Sequence, residues 1–80
     1  GISVALTKME FNILAFLMEN KGKVISRADL VGAIWGKGAV VNDININMHI
    51  RAIRQKLGKS KNCIETVRGY GYRFSAHAKD

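Results

Sequence analysis

Residues 42–57, NDININMHIRAIRQKL, constrain the fold of this chain more than any other stretch. Large aliphatic residues recur there three or four positions apart: Ile46, Ile50, Ile53 and Leu57. At about 100° per residue, they fall within one narrow sector of an α-helix. Asn42 or Asp43 is the expected N-cap, and the segment GKSKN ends the helix after Leu57. We therefore predict a helix whose apolar side packs against a core supplied by the rest of the chain.

The other faces of this helix are basic and rich in amides. The side opposite the apolar sector carries Ile44, Met48, Arg51, Ala52 and Gln55. One flank carries Asn47 and Arg54, and the other carries Asn45, His49 and Lys56. No acidic residue follows Asp43, although exposed helices commonly use glutamates for ion pairs one turn apart. Such a surface suits a helix in a DNA major groove, where base edges and two phosphate backbones surround it. A solvated surface helix is the alternative.

The length and composition describe one small domain without catalytic or metal-binding motifs. Eighty residues accommodate a single core, and no segment approaches the roughly 20 uninterrupted apolar residues of a membrane span. Cys63 is the only cysteine, which excludes an internal disulfide, and together with two histidines it falls short of the usual zinc-ligand sets. There is no nucleophile with a base, no acid–base pair and no phosphate-loop or dinucleotide motif. We therefore expect neither an enzyme nor a cofactor.

The positive charge is concentrated in the C-terminal part of the chain. The net charge is +7, but residues 1–50 carry five Lys and Arg against four Asp and Glu. Residues 51–80 carry eight against two. A one-sided basic surface attracts polyanions, such as nucleic acid or an acidic membrane, whereas a run of solvated charges has no partner. Composition alone leaves these alternatives open, with a polyanion favoured.

Two further helices are predicted ahead of residue 42. Thr7 and Glu10 form a capping box at the start of the first, whose residues 11–18 are so apolar that we expect it to be largely buried. Ser26 and Asp29 repeat this capping pattern for a second, shorter helix. Its apolar face is formed by Leu30, Val31, Ile34 and Trp35. KVIS, residues 23–26, is predicted as an extended link, and GKGAVVN, residues 36–42, as a loop.

A basic β-hairpin is predicted after the third helix. Two β-prone runs, residues 63–67 and 72–74, flank the tip Arg68-Gly69-Tyr70-Gly71. The two glycines permit a tight turn and a close approach to a phosphate, although a plain turn explains them equally well. An extended Arg68 suits the negative potential of a minor groove. ISVAL, residues 2–6, is expected to add a short N-terminal strand.

Three helices followed by a basic hairpin are the elements of an α+β winged helix-turn-helix. Three segments strengthen this interpretation: LTKMEFNILAFLMENKGKVISRADLVGAIWG, INMHIRAIRQKL and IETVRGYGYRF, which together span about residues 6–74. In their motifs and spacing they resemble the winged-helix effector domain of OmpR/PhoB-type response regulators. The resemblance implies a cytoplasmic, nucleoid-associated bacterial transcription regulator that binds double-stranded DNA in a sequence-specific way.

The resemblance also implies roles for individual residues. His49, Arg51 and Arg54 would hold phosphates or base edges, and Thr66 and Tyr72 would hold phosphates. Arg68, beside Gly69, would enter the minor groove. The loop of residues 36–42, including Lys37, Val40 and Val41, would face RNA polymerase, although packing of the two valines against the third helix is the alternative. Two copies would lie head to tail on a direct repeat about one helical turn apart, with weak self-association on DNA.

Three departures from the family pattern change the expected base contacts. Ile44 replaces an arginine, Asn47 replaces an aspartate, and Ala52 stands where a base-reading arginine is common. We hypothesise that Met48 and Ala52 contact thymine methyl groups. Neighbouring bases would then be read by Arg51, Asn45 or Gln55.

The family's receiver domain and most of its N-terminal sheet have no counterpart in this sequence. We therefore expect residues 1–80 to be a single domain, either a fragment of a longer regulator or a regulator without that control. Two other classes remain open. One is the cytoplasmic head of a membrane-anchored regulator, in which this domain itself does not touch the membrane. The other is a winged helix used for contact with an acidic protein.

Overall fold

The structure, a computed structural model, describes residues 5–75, which form three α-helices and a three-stranded antiparallel sheet. The elements in chain order are α1 (Lys8–Glu19), β1 (Val24–Ser26), α2 (Arg27–Ile34), α3 (Asp43–Leu57), a 3₁₀ helix (Gly58–Cys63), β2 (Ile64–Val67) and β3 (Gly71–Phe74). The predicted winged-helix arrangement is thereby confirmed. None of the helices in this part of the chain is long and apolar enough to span a membrane.

The apolar side of α3 lies at the centre of the core. Ile46, Ile50 and Ile53 are completely buried, together with Ile13 and Leu17 of α1 and Leu30 of α2. Burying one such side chain contributes roughly 1.5–3 kcal/mol, so this side of α3 determines which of its faces turns outward. The helix begins where predicted, because the Asn42 side chain accepts a hydrogen bond from the backbone N–H of Asn45 at 2.9 Å.

Helix α1 has the predicted cap but is not buried on all sides. Thr7 Oγ1 accepts a hydrogen bond from the Glu10 backbone N–H, and Glu10 Oε1 accepts one from the Thr7 N–H. Phe11 and Met18, however, are 59% and 50% exposed, which corrects the expectation of a largely buried helix. The elements that pack against α1 are α2, α3 and β3. They cover only part of the arc that the apolar residues of α1 occupy.

The sheet contains one strand more than the predicted hairpin. β3 is the central strand and pairs with β2 on one side and with β1 on the other. The segment predicted as an extended link therefore contains a strand, in which Ile25 lies opposite Tyr72. Residues 2–4 of the predicted N-terminal strand lie outside the described residues, and Ala5 and Leu6 belong to no strand.

The two glycines of the hairpin have different roles. Gly69 lies in the turn between β2 and β3 with a φ of +76°, a conformation that side chains disfavour. Gly71 is instead the first residue of β3 and lies opposite Ser26. A Cβ atom at position 71 would lie 1.9 Å from the backbone oxygen of Ile25. The absence of a side chain at Gly71 therefore permits the approach of β1, so this glycine is not part of the tip.

A partly buried ion pair joins α1 to α3. The Lys56 ammonium lies 2.6 Å from Oε1 of Glu10, whose side chain is almost inaccessible. The hydrogen bonds from Lys56 and from the Thr7 backbone hold the pKa of Glu10 below its usual value of 4.5. Lys56 was predicted to lie on a flank of α3 suited to phosphates, but its charge is directed to α1 instead.

This pairing predicts a specific acid dependence of stability. Because the folded-state pKa of Glu10 is depressed, its contribution is complete above the unfolded value of 4.5 and is lost as the pH falls through the folded value. We expect the Glu10→Gln variant to be less stable than the parent at neutral pH and to lose less stability on acidification. Denaturant unfolding at a series of pH values measures both effects. Glu19→Gln, which removes an exposed carboxylate of the same helix, is the matched control. Parallel pH profiles for the parent and Glu10→Gln would contradict the prediction.

Candidate nucleic-acid interface

The polar and basic side of α3 faces solvent. Its exposed residues include Ile44, Asn45, Asn47, Met48, Arg51 and Gln55, while Ala52 is half-buried beside them. Met48 is 61% exposed, so a large apolar side chain stands among polar ones. The helix thus presents amide, guanidinium and thioether groups together on one accessible surface, which is the set of groups that base edges in a major groove can engage.

His49 lies on a flank of α3 against the end of α2. Its ring and that of Trp35 are 5.8 Å apart between centroids and inclined at 46°. Both residues are half-buried, and Trp35 is the C-cap of α2. The indole therefore limits the positions available to the imidazole while leaving part of the ring accessible. This placement is compatible with a phosphate contact at the edge of the α3 surface.

Arg54 links α3 to the first strand of the wing. Its Nε and Nη2 atoms donate hydrogen bonds to the Ile64 carbonyl at 3.1 and 2.8 Å, and Nη2 also donates to Thr66 Oγ1 at 2.8 Å. Burial lowers the pKa of the guanidinium, with the nearby Tyr72 opposing that shift. An arginine side chain remains charged in proteins and has five N–H donors, so the two on Nη1 remain for another acceptor. Arg54 therefore has a structural role that the sequence did not indicate.

A pocket of about 330 Å³ lies between the start of α3 and the wing. Its walls include Arg27, Asp43, Ile44, Asn47, Thr66 and Tyr72. Tyr72 is buried, and this burial raises the pKa of its phenol, against the opposing effect of Arg27 and Arg54 and with a further increase from Asp43. The hydroxyl is therefore a hydrogen-bond donor at neutral pH.

Arg27 was not among the predicted site residues. It forms an ion pair of 3.3 Å with the mostly exposed Asp43, the kind of surface contact that contributes little to stability. Helix α2 begins with Arg27, and the wing residues of the pocket lie far along the chain. No local sequence signal could have joined them.

The tip of the wing and the loop before α3 are both accessible. Arg68 and Gly69 are exposed in the turn between β2 and β3, and the preceding Thr66 is exposed as well. In the loop, Lys37 is exposed and Val40 is 96% exposed, whereas Val41 is partly buried against the core. The two valines therefore differ: only Val40 is fully presented to solvent.

Three of the five carboxylates among the described residues form ion pairs. In the described part of the chain, Glu10 and Glu65 form ion pairs with Lys56 and Arg73, and Asp43 lies at the first turn of α3 beside Arg27. No three His, Cys, Asp or Glu residues among 5–75 come together as a metal site. Arg51 on the exposed side of α3 and Arg68 at the wing tip are both accessible, and neither forms an ion pair within the described residues.

Comparison with known proteins identifies relatives of the whole domain. The family model described as "Transcriptional regulatory protein, C terminal" matches residues 1–74. The response regulator ArlR of Staphylococcus saprophyticus is 41% identical over 75 residues, covering 90% of this chain and 34% of that protein. The phosphate regulon transcriptional regulatory protein PhoB of Escherichia coli is 41% identical over 68 residues, covering 82% of this chain and 30% of that protein. The chain thus spans about a third of the length of these curated relatives.

A solved structure of a DNA complex has the same fold. The DNA-binding domain of Klebsiella pneumoniae RstA, in complex with the RstA box, superposes with a TM-score of 0.83 at 30% sequence identity. The match covers 96% of this chain and 79% of that one. The similarity therefore extends over almost the whole chain.

Proposed function

We propose a function from one premise: this chain belongs to the family of C-terminal domains of transcriptional regulatory proteins. It binds double-stranded DNA in a sequence-specific way. The family is one of DNA-binding domains and not of enzymes. The observation that carries the proposal is the basic surface formed by the exposed side of α3 and the adjoining arginine-tipped wing. A major groove accommodates a helix of this kind, and a wing beside it reaches the neighbouring minor groove.

The positions of the side chains support a proposal for the individual contacts. We assign base contacts to four exposed residues of α3 and to the half-buried Ala52 beside them; the exposed four are Asn45, Met48, Arg51 and Gln55. His49, Thr66 and Tyr72 are assigned to phosphates, and Arg68 with Gly69 to the minor groove. Arg54 retains only the Nη1 donors for a phosphate, because Ile64 and Thr66 engage the others. Its main role in this proposal is to position the wing.

The domain is proposed to act as one part of a longer cytoplasmic regulator. Its relatives among response regulators are about three times as long, which supports this view. One winged-helix module buries about 600–1,000 Å² on DNA, so strong binding requires two modules, which we place head to tail on a direct repeat with weak self-association. The exposed Lys37 and Val40 are assigned to a contact with RNA polymerase, with Val41 supporting the loop from behind.

Selection of bound sequences from a random duplex pool, followed by titration over a salt series, tests the proposal. If each copy neutralises about five phosphates, the slope of log K against log salt should be about −4 to −5 per bound copy. We expect one enriched motif, repeated in the same orientation. No enriched motif and a slope near zero would contradict DNA binding and favour an acidic protein partner. A required guanine opposite Ala52 would contradict only the assignment of that residue to a thymine methyl group.

A further inference from the structure

A second basic site lies at the C-terminal end of α3, where Lys59 and Lys61 adjoin residues already assigned above. It is an open concavity of about 830 Å³. Its lining residues are Arg51, Arg54, Gln55, Gly58, Lys59 and Lys61. Four of these six carry a positive charge and none carries a negative one. A surface of this composition suits an anion with several oxygen atoms.

No residue of this concavity forms an ion pair within the described part of the protein, and Glu65, which lines a neighbouring pocket with Arg54 and Lys61, is paired with Arg73. The other two ion pairs of the described residues join Arg27 to Asp43 and Lys56 to Glu10. Arg51, Lys59 and Lys61 are exposed. Arg54 is fixed to the wing strand but keeps its charge beside them. The site therefore combines a held guanidinium with three accessible cations.

The position of the concavity connects it to the proposed DNA surface. Arg51 and Gln55 lie one turn apart on the exposed side of α3, and Lys59 follows at the same interval. The helix ends at Gly58, whose φ is +59°, and the 3₁₀ helix that follows keeps Lys59 and Lys61 beside that last turn. The concavity thus continues the exposed side of α3 at the point where the helix would leave the groove.

We propose that this concavity binds a backbone phosphate of the same DNA, with Lys59 and Lys61 as additional phosphate contacts. The proposal rests on the proposed function and extends its footprint by one backbone segment. A different role for the lysines is to offset the negative end of the α3 dipole. That role affects only folding stability, whereas phosphate binding releases counterions and changes the salt dependence of DNA binding.

A matched pair of double variants separates these roles. Lys59→Gln/Lys61→Gln removes two charges from the concavity, and Lys21→Gln/Lys23→Gln removes two from the exposed turn after α1. Fluorescence anisotropy with a duplex of about two helical turns is measured from 50 to 200 mM salt. If each lysine neutralises one phosphate, the slope of log K against log salt should be shallower by about 1.8 for the first variant than for the parent. The ratio of parent to variant affinity should therefore fall about twelvefold between about 50 and 200 mM salt. The control should keep the parent slope.

The possible outcomes are distinct. If the parent shows salt-dependent DNA binding but the first variant keeps the parent slope, the inference is overturned and the proposed function stands. An equal change in both variants would show a general effect of net charge and would also overturn it. If the parent shows no salt-dependent binding, the proposed function fails and the inference fails with it. Thermal melting of each variant establishes that it is folded.

Discussion

The Arg51→Ala/Arg68→Ala variant is expected to bind its selected DNA sequence at least about thirtyfold more weakly than the parent chain. A good bidentate contact between arginine and a base contributes about 1–3 kcal/mol of discrimination, and about 1.4 kcal/mol corresponds to tenfold in affinity. Arg68 lies at the wing tip and Arg51 on α3. Under the proposed function, the variant therefore loses one contact in each groove. Both side chains are exposed, and the variant should therefore fold normally.

The same measurement separates specific contacts from charge. Lys21→Ala/Lys23→Ala removes the same two charges from the turn after α1 and should change the affinity for the selected sequence only slightly. Anisotropy titrations at one salt concentration compare the three proteins, and circular dichroism verifies their folding. An arginine variant that binds within about threefold of the parent would contradict the placement of α3 and the wing in the two grooves.

The Gly71→Ala variant is expected to be destabilised by about 3 kcal/mol or more. Overpacking commonly costs about 1–3 kcal/mol, and here the added carbon would lie 1.9 Å from the backbone oxygen of Ile25, which cannot rotate away. Relief requires separation of β1 from β3 near Ser26. A chain of this length has a total stability of roughly 4–12 kcal/mol, so the loss is a large part of it. Thermal denaturation should show a lower Tm by at least about 12 °C.

Gly32→Ala is the matched control with the opposite sign. Gly32 lies within α2, and a Cβ atom there would meet nothing within 4 Å apart from its neighbours and the helix backbone. Alanine is favoured over glycine inside a helix by about 1 kcal/mol, so this variant should be more stable than the parent. A Gly71→Ala variant as stable as the parent would show that β1 and β3 do not approach as closely as the structure has them.

Local patterns predicted most of the elements of this fold. The helical spacing of Ile46, Ile50 and Ile53 identified the buried side of α3, and the caps at Thr7 and Asn42 marked two helix starts. The pairing of β1 with β3 was missed because the two strands are far apart in the chain. For the same reason, the local pattern predicts a turn at Gly71, whereas this residue accommodates β1.

For the candidate site, the sequence predicts only which side chains of α3 face outward, because the helical repeat fixes that. The repeat places Arg51 and Gln55 outward, and the structure has them exposed. The repeat also placed Arg54 and Lys56 on the flanks of α3, but it contains no information about Ile64 or Glu10, to which these side chains bond. The partners of a long basic side chain lie wherever the tertiary fold brings an acceptor within reach.

The hydrogen bonds of Arg54 have a consequence for the kind of DNA that this domain selects. They connect the last turns of α3 to the strand that leads to Arg68. We expect these hydrogen bonds to hold α3 and the wing tip at a fixed distance from each other. DNA must then match that span, and a duplex whose grooves lie at another spacing has to bend. Flexible pyrimidine–purine steps bend at a lower cost in free energy than other steps. We therefore expect the domain to prefer sequences with such steps at positions that no side chain contacts.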